Sequence, residues 1–325
     1  MPTLILLEPH VNQRLNGEVP DEMQPPQAPA PPAKIRIAYI ISAYQDSASV
    51  IRLVRRLHAP DHGFFIHYDL RSPDQEFARL ASDLGNLKNV TLLQRHKCLW
   101  GDFGHVEATL KAIGEIAKEG FVYDYAVLLT AQDYPIKPDA GIRERLAAAA
   151  GASFMQATAW PIPHWENGRA IRRIERYYWH LPFPKWLLKM GWNRAWQNFS
   201  IPMKRKIPNG LHPYFGSSYW YLHRSCLKHI HEYVTRHPEY VSFFHHAFIP
   251  DEVFFQTLLM NSELAPTITT GSLTFVDWRP PWPGILTMDD LPRLKQSDCL
   301  LARKFSTAVD RQILDRLDSL CQASA

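Results

Sequence analysis

Ile35-Arg36-Ile37-Ala38-Tyr39-Ile40-Ile41 is a short, nearly continuous apolar run, and it reads as a buried strand. Downstream of it, helical spacing covers about Ala48 to Leu57. Phe64-Phe65-Ile66-His67-Tyr68-Asp69 is then a second strand that ends in polar groups. A helix near Gln75 to Leu84 leads to a short strand at Val90 to Leu93, a longer helix at about Gly104 to Glu119, and the strand Tyr125 to Thr130. Strands alternating with helices predict an α/β fold with a mostly parallel sheet covered on both faces. Ligands of such sheets sit beyond the carboxyl ends of the strands, and Asp69, Trp100 and Asp133 fall at or just past such ends.

The flanking regions read differently. Pro20 to Ala33 (PDEMQPPQAPAPPA) is Pro-rich and almost free of large apolar groups, so residues 1–33 are expected to form a disordered tail or linker. From Trp160 to about Pro213 the periodicity fails, with RRIERYYWH and PMKRKIP as the dense parts. An irregular insertion that helps bind the acceptor is expected there; a solvated helix with basic and aromatic faces is the plainer alternative. Regular structure returns with a strand at Gly216 to Leu222, helices near Ser225 to Thr235 and Asp251 to Asn261, a strand at Leu273 to Asp277 and a helix near Thr307 to Leu320.

Composition narrows the function. The 325 residues are 46% hydrophobic and 21% charged, ordinary for a globular enzyme, and the net charge is only +4. An anionic ligand would be attracted, but no dense basic block points to nucleic acid. Cys98, Cys226, Cys299 and Cys321 stand far apart and form no Cys-x-x-Cys pair. No segment is long and apolar enough to span a bilayer. Leu4-Ile5-Leu6-Leu7 lacks the flanks of a signal peptide, so a cytoplasmic chain, at most peripheral to a membrane, is expected.

Three places carry candidate chemistry. Pro250-Asp251-Glu252 is read as opening a helix, which puts both carboxylates in a first turn where the macrodipole favours them. They are either simple caps or, for Glu252, a general base. Ala302-Arg303-Lys304-Phe305, with Arg279 and Lys295 upstream, offers cations that either clamp a diphosphate or decorate the surface. Gln132-Asp133-Tyr134-Pro135 is a polar turn at a strand end. No two aspartates lie two apart, so there is no Asp-x-Asp metal motif, and lysine and arginine remain to neutralise phosphates. No Gly-x-Ser-x-Gly elbow, P-loop or Gly-x-Gly-x-x-Gly is present. His67-Tyr68-Asp69 and His245-His246 lack the further ligands a metal needs.

Taken in order, the runs IAYIISAY, FFIHYD, LWGDFGHVEATL, YDYAVLLTAQDYPIK, FGSSYWYLHR, PDEVFFQT, FVDW and LLARKF resemble glycosyltransferase family 14, the core-2/I-branching β-1,6-N-acetylglucosaminyltransferases and peptide O-xylosyltransferases. The resemblance spans nearly everything from Lys34 to about Asp315. It implies a GT-A fold in a single domain, residues 34–325. Residues 34–150 would be a nucleotide-binding, Rossmann-like half and 151–325 an acceptor and catalytic half. It further implies metal-independent, inverting transfer of GlcNAc or xylose from a UDP-sugar to a glycan, glycolipid or protein hydroxyl, with no resident cofactor. Glu252 matches the family's catalytic base, Lys304 the lysine on the UDP diphosphate, and Asp69 the acidic residue near the nucleotide. Trp100 falls where an aromatic covers the uracil. Arg279, with Arg303 beside Lys304, would add to the diphosphate clamp. Asp133, Ser217 and Trp278 would line the donor and acceptor pocket. A catalytically silent nucleotide- or sugar-binding module on the same fold is the alternative. Animal members carry a membrane anchor and disulfides, and their lack here suggests a bacterial, cytoplasmic relative.

Overall fold

The computed structural model describes residues 35–44, 46–162, 169–180, 198–201, 203–279 and 282–322. The expected tail at 1–33 lies outside the described residues, as do parts of the segment from Trp160 to Pro213. The first half runs β1 (Ile37–Ala43), α1 (Ser47–Leu57), β2 (Gly63–Tyr68), α2 (Asp74–Leu84), β3 (Val90–Leu92), α3 (Gly104–Glu119), β4 (Tyr125–Thr130), β5 (Tyr134–Pro135), α4 (Asp139–Ala147), β6 (Ser153–Met155) and β7 (Thr158–Ala159). There follow α5 (Arg169–Glu175), β8 (Tyr177–His180), β9 (Asn198–Ile201), β10 (Tyr214–Phe215), β11 (Trp220–His223), α6 (Arg224–Arg236) and α7 (Pro238–Phe244). A 3-10 turn at Pro250–Glu252 precedes α8 (Phe254–Met260), β12 (Ile268–Thr269), β13 (Thr274–Val276), β14 (Trp278–Arg279), β15 (Trp282–Pro283), α9 (Leu291–Gln296), β16 (Leu301–Arg303) and α10 (Gln312–Gln322).

The apolar run of β1 is central because both of its faces are buried. Tyr39 and Ile41 enter one core with Val50, Val54 and Leu57 of α1 and Leu314 and Leu317 of α10. Ala38 and Ile40 enter the other with Val106 and Ile113 of α3 and Phe254 of α8. A strand with two dry faces has no use for polar alternation, so it reads as a continuous apolar run. The seven-stranded sheet has the order β12-β6-β11-β4-β1-β2-β3. The pairs β1–β2, β1–β4, β2–β3 and β12–β6 are parallel, and only β11 runs against its neighbours. A mixed α/β fold with a mostly parallel sheet flanked by helices is therefore what the chain forms. A smaller sheet, β13-β16-β5, pins the Leu301–Arg303 strand against the turn after β4.

Four expectations about elements need correction. The single helix expected over Asp251 to Asn261 is broken: Asp251 and Glu252 lie in the 3-10 turn, and Val253 (φ −135°, ψ −36°) separates it from α8. The Glu252 carbonyl accepts the Gly216 amide at 2.9 Å, so it is not spent on a helical bond. The strand expected from Gly216 to Leu222 starts only at Trp220, because its first half bonds elsewhere. A Cβ on Gly216 would lie 1.7 Å from the Gln156 carbonyl oxygen, and the Ser217 carbonyl accepts Gln256 Nε2 at 2.7 Å. The last helix begins at Gln312, where Asp310 Oδ1 receives the Gln312 amide at 2.8 Å. The segment from Trp160 to Pro213 holds α5 and an antiparallel β8–β9 pair rather than irregular chain alone. Arg205 anchors it, with its guanidinium 4.3 Å from the Tyr177 ring centre and 4.0 Å from that of Phe243. Among the described residues no helix is long and apolar enough to cross a membrane, and all four cysteines are free.

Candidate functional site

The carboxyl ends of β1, β2 and β4 carry Tyr44, Asp69 and Asp133, and three groups of side chains gather around them. In the first, the Asp69 amide bonds to the Ala43 carbonyl at 2.8 Å, and its carboxylate receives the Arg71 amide at 2.8 Å and guanidinium at 2.6 Å. Burial works against the Asp69 charge, but the Arg71 bonds outweigh it and hold the pKa below the usual range. Arg71 also bonds the Cys98 carbonyl, tying Asp69 to the loop that carries Trp100. Trp100 is 61% exposed and meets Phe248 edge-on at 5.5 Å. Gly101 has φ +82° and a Cβ there would come within 2.7 Å of Phe248, so glycine suits both the backbone and the contact. Its carbonyl accepts the Ile249 amide at 2.9 Å, which docks the Trp100 loop onto the turn bearing Glu252.

The second group surrounds Asp133, only 1% exposed. Its Oδ2 accepts both the amide and the hydroxyl of Thr130 at 2.6 Å, while Oδ1 faces Arg303 Nε at 3.2 Å. That second contact is a charge pair without hydrogen-bond alignment. Burial raises the Asp133 pKa, with Arg303 and Thr130 opposing. The Arg303 guanidinium in turn lies 4.0 Å over the Tyr219 ring. Lys304 is half-buried and has no acidic partner among the described residues; burial and then Arg303 lower its pKa. Two adjacent cations thus divide the work, Arg303 turned inward and Lys304 left available. Arg279 and Trp278 sit on the exposed β14–β15 pair, which reaches Lys304 through Gly284. Arg279 is bound to Asp277 at 2.5 Å and Asp290 at 3.2 Å, acids it shares with Arg293, so its charge is already met.

The third group holds Glu252. Arg173 Nη1 of α5 donates to Glu252 Oε2 at 2.6 Å, and Oε1 has no hydrogen bond among the described residues. Burial raises the Glu252 pKa; Arg173 opposes this and the neighbouring Asp251 adds to it. The sequence placed this carboxylate in the first turn of a helix; in the structure it lies in the 3-10 turn before α8, and the Arg173 guanidinium favours its charged form against burial. Asp251 is held away by Ser218 Oγ at 2.6 Å. Gly216 to Tyr219 links the groups: Gly216 bonds Glu252, Ser217 bonds Gln256, Ser218 bonds Asp251, and Tyr219 lies under Arg303. Ser217 is placed by its backbone in that bridge.

Two other features carry no site. His67, His96 and Cys98 cluster closely enough to suggest a metal. Their hydrogen bonds say otherwise. His67 Nε2 accepts the His96 amide, which puts the His67 proton on Nδ1 facing Cys98. His96 Nε2 faces the Gly104 carbonyl and so carries a proton, while Nδ1 takes Lys111. Both nitrogens nearest the sulfur are protonated donors, not lone pairs. A groove of about 960 Å³ between α1, α2 and α10 is lined by Arg52, Arg55 and Arg56. Asp315, Asp318 and Asp83 already meet those charges.

Sequence reasoning missed Arg173, Tyr219, Thr130 and Ser218. Arg173 lay in the RRIERYYWH run, but nothing there separates it from its neighbours. Tyr219 and Ser218 lay inside a quoted run without a role, because only the fold brings them under Arg303 and Asp251.

The family model described as Core-2/I-Branching enzyme matches residues 37–296. Among curated proteins, a xylosyltransferase of Drosophila pseudoobscura pseudoobscura is 25% identical over 318 residues, covering 88% of this chain and 33% of that protein. Xylosyltransferase 2 of Homo sapiens is 24% identical over 325 residues, covering 92% of this chain and 35% of its own. The chain therefore spans about a third of the length of these relatives. Among solved structures, a mannosyltransferase of Pyrobaculum calidifontis in complex with GDP-Man and Mn2+ aligns over 45% of this chain and 41% of its own at 14% identity. Its TM-score of 0.27 is too slight a likeness to bear on fold or chemistry.

Proposed function

This chain belongs to the Core-2/I-Branching enzyme family, and from that premise we propose that it is an inverting, metal-independent glycosyltransferase moving a sugar from a UDP-sugar to an acceptor hydroxyl. The observation that carries the reading is the bridge from Gly216 to Tyr219, which joins a carboxylate with one open oxygen to a pair of cations. An open carboxylate oxygen is what a general base needs, and a cation with no acidic partner among the described residues, Lys304, is what a leaving diphosphate needs.

In this mechanism Glu252 Oε1 takes the acceptor hydroxyl proton as the oxygen attacks the anomeric carbon. The bond to UDP breaks on the opposite face, and Lys304 meets the charge that grows on the diphosphate. A single displacement inverts the anomeric centre, so an α-linked donor gives a β-linked product. UDP is a good leaving group, so one base and phosphate stabilisation suffice, without the paired acid and base of glycoside hydrolysis. Arg303, held by Asp133 and Tyr219, fixes the backbone from which Lys304 projects. The sequence has no Asp-x-Asp, which supports cationic side chains in place of a metal. Asp69 and Trp100 fit the nucleotide side, and the α5 region fits the acceptor side.

The relatives' names make UDP-xylose the first donor to test and UDP-GlcNAc the second. UDP release with each donor and a panel of glycan, glycolipid and peptide acceptors, with and without excess EDTA, tests the reading. Release that depends on acceptor and ignores EDTA is expected. Release abolished by EDTA and restored by manganese would overturn the metal-free mechanism. UDP binding without transfer to any hydroxyl would leave a nucleotide-binding module.

A further inference from the structure

We infer that Arg173 is a positioning residue for the base: it holds Glu252 by one oxygen, fixes the rotation of the carboxylate, and leaves the other oxygen to take the acceptor proton. The inference rests on the reading of Glu252 as the base and adds a part that neither the family match nor the sequence assigns.

The geometry carries it. Glu252 sits in a 3-10 turn of three residues, which Val253 (φ −135°, ψ −36°) separates from α8. The side chain keeps about 36% of its surface exposed, enough to be reached, while its surroundings still raise the cost of charging it. One strong contact offsets that cost, the 2.6 Å bond from Arg173 Nη1 to Oε2. A charge-assisted bond of this kind favours the charged carboxylate. It also fixes the rotation of the carboxylate, because Oε2 is taken and Oε1 has no hydrogen bond among the described residues. Arg173 itself is fixed on α5, whose backbone carbonyl at Arg173 accepts the Phe248 amide at 2.8 Å. The clamp is thus built between the segment expected to meet the acceptor and the turn that carries the base.

Other charges near the turn do not duplicate this role. Asp251, on the same turn, acts in the opposite sense and is turned to Ser218. Asp102, in the Trp100 loop, is spent on the amides of Leu99 and Gly104. His105 lies in the first turn of α3, which packs against the turn bearing Glu252. Between β10 and β11 the Gly216 amide donates to the Glu252 carbonyl at 2.9 Å.

The sign follows directly. Arg173 lowers the Glu252 pKa, so removing it raises that pKa and leaves the base protonated to higher pH. Two measurements on Arg173→Gln and Arg173→Lys test this. The first is the Glu252 carboxyl titration by 13C NMR, assigned with Glu252→Gln. The second is kcat/KM for transfer across pH. In Arg173→Gln the midpoint should rise by about one pH unit or more, which is a tenfold or greater loss of ionised base below it. The rate loss should shrink as pH rises, Arg173→Lys should fall between mutant and wild type, and UDP affinity should stay put. An unmoved midpoint, or a rate loss equal at every pH, would overturn the inference. Should Arg173→Gln fail to fold, Arg173→Lys alone decides: a midpoint displaced upward supports the clamp, and an unmoved midpoint with slowed transfer contradicts it. The NMR titration needs no turnover. If no transfer is found in the wild type, the proposed function fails while the titration still judges the clamp.

Discussion

Asp133 and Glu252 are two carboxylates under the same stress. Burial pushes both pKa values up, and each faces one arginine, Arg303 at 3.2 Å and Arg173 at 2.6 Å. They differ in what surrounds them. Asp133 has neither oxygen open: Thr130 takes one, Arg303 faces the other, and only 1% of the residue is exposed. Glu252 has one oxygen tied and one without a hydrogen bond among the described residues, on a side chain with about a third of its surface exposed. A carboxylate closed on all sides organises its neighbours, whereas one left half open can exchange a proton with a substrate. Desolvation and an arginine partner alone do not separate the two roles; access does.

That contrast can be broken at either end. Asp133→Ala strips the acid from a buried pair and leaves the Arg303 charge uncompensated, which should destabilise the fold by about 3–5 kcal/mol. Denaturant unfolding checks this, and a loss under about 1 kcal/mol would mean that Arg303 finds solvent and that Asp133 is not the strut described. Lys304→Ala tests the next position along. Its charge is half-buried and has no acidic partner among the described residues, so stability should change little while turnover falls by roughly tenfold to a hundredfold. Steady-state kinetics with a UDP-sugar decide the matter, and an unaltered rate would return Lys304 to the surface.

The sequence and the structure agree best where the pattern is local and fail where contacts are remote. The helix expected at Gly104 to Glu119 has those bounds in the structure, because Gly120 at φ 63° closes it in the left-handed region that glycine favours. The β1 run was legible because two buried faces leave a continuous apolar string. The division of Pro250–Glu252 from α8 was not, since it depends on Gly216 taking the Glu252 carbonyl from 36 residues away in the chain. Glu252 and Lys304 were picked out by residue type and neighbours, and the resemblance gave them roles. Arg173 was one arginine among several in RRIERYYWH, and nothing short of the fold could choose it. Asp133 was legible as a polar turn at a strand end, but the enclosure that makes it a strut comes from β16, more than 160 residues later.

The measurement that bears most directly on the account is Glu252→Gln, with transfer rate and UDP affinity taken on one preparation. The substitution keeps size and most hydrogen-bonding capacity but removes the proposed base. The fold should persist and UDP should bind within about twofold of wild type, because in the proposed mechanism the open oxygen meets the acceptor and not the nucleotide. Transfer should fall by at least ~100-fold, the scale of lost general-base catalysis. A mutant that binds UDP and still transfers sugar near the wild-type rate would contradict the account and leave Glu252 a structural partner of Arg173.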